Sequence, residues 1–297
     1  MIKVNYYHSL IFFNFCIFIS AFEYLRNSSL LIVSLLLILS VGISHGSLDH
    51  IKGKKLLKII GIKSSVIFYL GYILVGLITI FIWLLFPKFL LLLFLIIAAF
   101  HFGKEDSEFI YKHKNFEVIY FLKGSLVIIA PLVFHKDETL SIFKLLNFDI
   151  STNILINNEI LYLFIFLSFV ANIFLSLNKS FDTKSLLLMD FLSLIILNYF
   201  LNPILAFTVY FCFLHSIRHS ISLIQEININ LQKGLPIFIK KALPLTIITI
   251  FGYLSALYFL NNFNHLNESI YKVIFIGLAS LTFPHILLEY LIEKNEQ

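Results

Sequence analysis

The chain has 297 residues, of which 59% are hydrophobic and only 13% charged, about half the ~25% charge of a soluble domain, and this excludes a water-soluble fold. Its 11 glycines, 6 prolines and 2 cysteines likewise exclude collagen, a disordered linker and a disulfide scaffold. The net charge of +5 does not point to nucleic acid, because the lysines fall in short segments between apolar runs, where a topological role accounts for them.

Apolar runs near the ~20 residues needed to cross ~30 Å of hydrocarbon recur from end to end. Breaking them at charges predicts helices near 8–22, 30–48, 65–86, 89–103, 116–134, 160–177, 185–201, 204–224, 239–260 and 270–292. That pattern describes an all-α, polytopic integral membrane helical bundle of about 8–10 transmembrane helices. The first run, Leu10 to Phe22, has no small-residue cleavage site after it and leads directly into another span, so it reads as a helix and not as a cleaved signal. Cys16 and Cys212 lie inside apolar runs and read as small buried hydrophobes. The break from His135 to Glu159 is short for a folded insertion and is expected to be an external loop. No internal repeat is evident, so residues 1–297 read as a single transmembrane domain.

With the N-terminus in the cytoplasm, 15 of the 22 cations fall in inside segments. Arg26, Lys88, Lys136, Lys144 and Lys272 fall outside, and Lys123 and Arg218 lie within spans. The bias supports a multi-pass protein of the inner membrane with a cytoplasmic N-terminus.

Polar groups within spans are expensive and mark functional sites by default. Of the ten histidines, His8, His113, His135 and His265 fall in loops or at a terminus and read as solvated. His45 and His101 end their helices on the cytoplasmic side, while His215, His219 and His285 lie toward the cytoplasmic ends of theirs. Four helices thus bring imidazoles to one membrane depth. His215 and His219 are four residues apart, which returns two side chains to within about 40° on one helix face and permits chelation of one metal. His45 and His50 are five apart, about 140° around a continuing helix, so they share an ion only if the helix ends between them. Gly46 permits such an ending. His45 is the expected ligand and His50 a supporting residue.

An all-histidine set of His45, His101, His215 and His219, without thiolate or carboxylate ligands and in a lipid-filled site, suits Fe(2+) and dioxygen chemistry on an apolar substrate. Zinc is possible by ligand type. Metal-bound histidines normally donate their second ring N–H to a carboxylate or carbonyl. Asp49 and Asp106 follow His45 and His101 at the cytoplasmic edge, and Asp190, inside a span, is the preferred partner. Arg218 is expected to pair with one of these acids or to reach the interface.

Read together, Ser44-His45-Gly46-Ser47-Leu48-Asp49-His50, His101-Phe102-Gly103 with Asp106, Leu214-His215-Ser216-Ile217-Arg218-His219 and Pro284-His285 resemble the Brp/Blh family of bacterial and archaeal beta-carotene 15,15'-dioxygenases associated with rhodopsin systems. The resemblance runs from about residue 30 to 290. It implies Fe(2+) held by His45, His101, His215 and His219, O2 as co-substrate, and beta-carotene split at its central double bond into two retinals, with a functional link to a retinal-binding rhodopsin. His50, Asp49, Arg218 and His285 match motif positions and take supporting roles. Ser44 stands where the family has proline, Ser47 replaces alanine and Leu214 replaces an aromatic, departures that spare the ligands but touch local packing and substrate range. Two rival readings remain. A membrane di-iron hydroxylase or desaturase needs about eight histidines in clustered boxes, and this chain has one four-step pair and no adjacent His-His. A transporter or non-catalytic membrane scaffold would use the buried histidines and acids as proton relays or helix locks.

Overall fold

The computed structural model describes residues 2–22, 25, 30–111, 116–148 and 157–295, the side chain of His45 excepted. All regular structure among these residues is helical. Among the described residues nine helices are long and apolar enough to cross a membrane, and the bent pair Leu31–Ser44 and Gly46–Ile59 makes a tenth crossing if taken as one span.

Helix α1 (Ile2–Ser20) packs along α9 (Phe181–Phe200). Helix α2 (Leu31–Ser40) was expected to continue to residue 48, but it gives way to a 3₁₀ segment, Gly42–Leu48, before α3 (Asp49–Ile59). The reason is a tertiary contact. Gly42 sits against the Phe211 ring so tightly that an added Cβ would meet it at 2.5 Å, and a tighter helical turn brings the backbone in at that point. The anticipated change of course near Gly46 is therefore real but begins earlier.

Helices α4 (Ser65–Leu85) and α5 (Pro87–Glu105) are separated by Phe86, with Pro87 in the first turn of α5 where its missing N–H is harmless. Helix α6 (Glu117–Phe134) crosses α5 backbone to backbone at Gly103 and Gly124. A Cβ at Gly103 would lie 1.8 Å from the Tyr120 carbonyl oxygen, and one at Gly124 would lie 1.9 Å from that of Ala99. Such contact is open only to small residues, and in lipid this close packing is what drives helix association.

The expected external loop after His135 contains a helix, α7 (Lys136–Leu145), which buries Thr139, Ile142 and Phe143. Its polar face made the segment read as loop, whereas its apolar face closes one end of the bundle. Residues 149–156 of the same break lie outside the described residues. Helices α8 (Asn158–Ser176), α9 and α10 (Pro203–Ile227) begin at Asn157, Ser180 and Asn202, each of which accepts a hydrogen bond from a first-turn amide. Within α10, Tyr210–Ser216 is a π-helical turn. Helices α11 (Leu231–Asn261) and α12 (Leu266–Asn295) complete the chain, with α12 packed on α3, α4 and α11.

A buried polar brace crosses the bundle. Arg218 of α10, 1% exposed, holds Asp190 of α9 through both carboxylate oxygens, at 2.7 and 3.1 Å. Ser9 of α1 accepts from Arg218 at 2.7 Å and donates to Asp190 at 2.8 Å. A bidentate pair reinforced by a hydroxyl that bonds both partners is a form in which opposite charges persist in a low-dielectric interior.

Candidate metal centre

Three helices bring four imidazoles together. His101 lies near the C-terminal end of α5, His215 and His219 straddle the junction where the π turn of α10 returns to α-helix, and His285 lies in α12. All four are buried. The His101 ring centroid is 5.3 Å from that of His215 and 5.3 Å from that of His285, and His285 is 5.9 Å from His219. A π turn is a frequent device at functional sites because it re-aims side chains within a continuous helix. Here it ends at Ser216, between His215 and His219.

Three of the rings are held through Nδ1 by carboxylates. His215 Nδ1 lies 3.2 Å from Asp106 Oδ1, His285 Nδ1 lies 2.8 Å from Asp49 Oδ2, and His219 Nδ1 pairs with Glu105 Oε2. Two of these carboxylates are themselves held: Tyr210 donates to Asp106 at 2.7 Å and Tyr72 donates to Asp49 at 2.7 Å. Burial pushes the Asp106 carboxyl up, but the His215 hydrogen bond and the charges of His215, Lys123 and Arg218 outweigh it and leave Asp106 below the usual carboxylate range. With Nδ1 anchored, Nε2 is the atom each ring would offer a metal, the arrangement that fixes tautomer and orientation in metal-bound histidines.

The expected residues divide as follows. His101 lies beside His215, and His219 is joined to them through His285, which faces both His101 and His219. The backbone of His45 lies in the 3₁₀ segment, and its side chain lies outside the described residues. Asp49 lies against His285 and Asp106 against His215, whereas Asp190, the preferred partner, binds Arg218 and Ser9 instead. Arg218 therefore pairs with an acid within the bundle, one of the two outcomes expected of it. His50 closes a local turn, its Nδ1 2.9 Å from the Ser47 carbonyl, and lines the cavity described below. His285, assigned a supporting role by motif position, lies in the cluster itself. Of the histidines read as solvated, His265 is exposed and His113 lies outside the described residues. His8 departs from that reading: it lies within α1, largely covered, with Nε2 2.8 Å from the Phe213 carbonyl of the π turn.

Two acids escaped the sequence reading, Glu105 and Glu289. His101, His285 and Glu289 each place a donor atom within 4.8 Å of the others, and Glu289 also pairs with Lys52 at 3.0 Å. Both acids follow a clustered histidine by four residues, one helical turn, and that spacing was the available signal.

A cavity of about 340 Å³ adjoins the cluster, within the range of small-molecule sites. His101, His285, His50 and Asp49 supply its polar wall, and Phe94, Ala98, Phe102, Ile128, Pro131, Phe143, Phe207 and Phe211 are among its apolar lining. It runs past α6 to Thr139 and Phe143 of α7. Ile73 of α4 and Ile248 of α11 line it as well, although both are exposed on the outer surface, so the cavity reaches the lipid-facing side between these helices.

The family model for beta-carotene 15,15'-dioxygenase matches residues 36–293. A beta-carotene 15,15'-dioxygenase from Uncultured marine bacterium 66A03 is 29% identical over 263 residues, covering 86% of this chain and 91% of the relative. No solved structure matches. The family match takes in every helix that contributes to the histidine cluster and the cavity wall, and the chain belongs to the beta-carotene 15,15'-dioxygenase family.

Proposed function

We propose that this membrane protein cleaves beta-carotene at its central double bond with O2, using iron bound by His45, His101, His215 and His219. In the overall reaction the central carbon–carbon double bond breaks and each carbon receives one oxygen atom, giving two retinals. The observation that carries the reading is that His101 belongs both to the histidine cluster and to the wall of the apolar cavity, so a rigid apolar substrate in that cavity lies against the cluster. The donor set fits iron: imidazoles, with His101, His215 and His219 buried, the last two anchored through Nδ1 by Asp106 and Glu105, and no thiolate among them.

When bound, iron would supply the activation of O2. The protein supplies the remainder. Entry between α4 and α11 brings a carotenoid from lipid without crossing water, and the stacked rings of Phe207 and Phe211, with Phe102, set its position against His101 and His215. The apolar lining excludes water from reactive species. The cation bias supports an inner-membrane location with the N-terminus in the cytoplasm, and a retinal-binding protein is the expected consumer of the product.

The test is expression in a beta-carotene-producing bacterium, with loss of colour and formation of retinal as the expected result. Colour that persists with the protein present in the membrane would refute it. Iron analysis of the purified chain is expected to give one atom per protein, and two would restore the di-iron alternative.

A further inference from the structure

We propose that His285 of α12 is itself a ligand of the metal, and not a supporting residue. This rests on the reading of the cluster as a metal centre and assigns that centre a donor from a further helix.

Two imidazoles bound to one metal at ~2.1 Å hold their ring centroids roughly 4.5–6 Å apart for inter-ligand angles of about 90–130°. The pair expected to share the metal, His101 and His215, stands at 5.3 Å. His285 meets the same criterion twice, at 5.3 Å from His101 and 5.9 Å from His219, and so sits between two expected ligands. It is oriented as they are. Asp49 holds its Nδ1 as Asp106 holds that of His215, and each of these carboxylates is steadied by a tyrosine hydroxyl at 2.7 Å. A histidine whose task was only to fasten α12 to α3 through Asp49 would have no need to face two further imidazoles in a buried site. The ring is 4% exposed and forms part of the cavity wall, so a metal held there would stand against the substrate space. Glu289, one turn along α12, has an oxygen 3.5 Å from His285 Nε2 and belongs to the same group of close donor atoms.

The full-length protein, purified in detergent and loaded anaerobically with Co(II), provides the test. Wild type is expected to bind one Co(II) and to show visible ligand-field bands. H285A should weaken binding by on the order of a hundredfold or more and change the band positions and intensity. D49N, which keeps the imidazole and removes only its anchor, should weaken binding about 10–100-fold. H265A, on an exposed loop, should match wild type. H285C gives a positive signal independent of any affinity loss: a thiolate in the coordination sphere adds a near-ultraviolet sulfur-to-cobalt charge-transfer band above the wild-type background. Unchanged affinity and bands in H285A, weakened affinity with unchanged bands, or a folded H285C without the charge-transfer band would each overturn the assignment and leave the centre itself intact. Failure of wild type to bind Co(II) or Fe(II) at all would instead sink the metal-centre reading, and this inference with it.

Discussion

The glycine crossing between α5 and α6 stands two residues from His101 and makes a quantitative prediction. In the substitution G124A the new Cβ would lie 1.9 Å from the Ala99 carbonyl oxygen and 2.5 Å from the Gly103 amide nitrogen. Close carbon–oxygen contacts between helices settle near ~3.3 Å, so α5 and α6 must separate by roughly 1.4 Å at this point. Both clashing atoms are backbone, and no rotamer change relieves them. The expected stability loss is that of an overpacked core, about 1–3 kcal/mol, and displacing His101 by ~1 Å is expected to lower the rate of retinal formation about 100-fold. G71A is the matched control, since a Cβ there meets nothing within 4 Å, and replacing glycine inside a helix should gain about 0.8–1 kcal/mol. The assay is initial rate of retinal release from beta-carotene in micelles, with thermal melting of the same samples. Wild-type rate and melting temperature in G124A would refute the claim that this contact fixes the position of His101.

Alanine at His45, His101, His215 or His219 should abolish retinal formation with membrane insertion intact, and full activity in H219A would overturn the site. R218M leaves the buried Asp190 carboxylate without its bidentate partner and is expected to cost about 3–5 kcal/mol; the double variant R218M/D190L should recover most of the lost melting temperature, and equal stability of wild type and R218M would contradict the brace. A98F fills the cavity one turn from His101, so retinal formation should fall about tenfold or more while Co(II) binding stays at the wild-type level; cleavage at the normal rate would mean that the substrate lies elsewhere.

Much of this arrangement was legible from polarity alone. Runs of apolar residues bounded by lysines mark the spans because lipid offers no partner for an open backbone, and histidines placed near the ends of those runs stand out as expensive. What the run lengths do not carry is lateral proximity. Asp190 looked like a histidine partner because it is an acid inside a span, yet α9 turns it toward Arg218 and Ser9, both distant in sequence. His8 looked terminal and solvated because few residues precede it, but α1 starts at Ile2 and presents it to the carbonyl of Phe213. The 3₁₀ segment was invisible for a different reason: it begins where Gly42 packs closely on Phe211, a contact between elements distant in sequence. Glu105 and Glu289 were readable in principle, as acids one turn beyond His101 and His285, but beside apparent cytoplasmic loops they looked like ordinary interfacial charges.

The brace of Ser9, Asp190 and Arg218 also bears on how the protein is made. Ser9 and Arg218 are 209 residues apart, so at ~5–20 residues per second a ribosome needs roughly 10–40 s to supply the second after the first. Throughout that interval α1 resides in the bilayer with no guanidinium to receive. Asp190 follows it, a carboxylate in a span whose countercharge is still 28 residues away. Helices α1 and α9 already meet directly through Ser9 and Asp190, so Arg218 is the last member of the brace to be made, and it arrives on the same helix as His215 and His219.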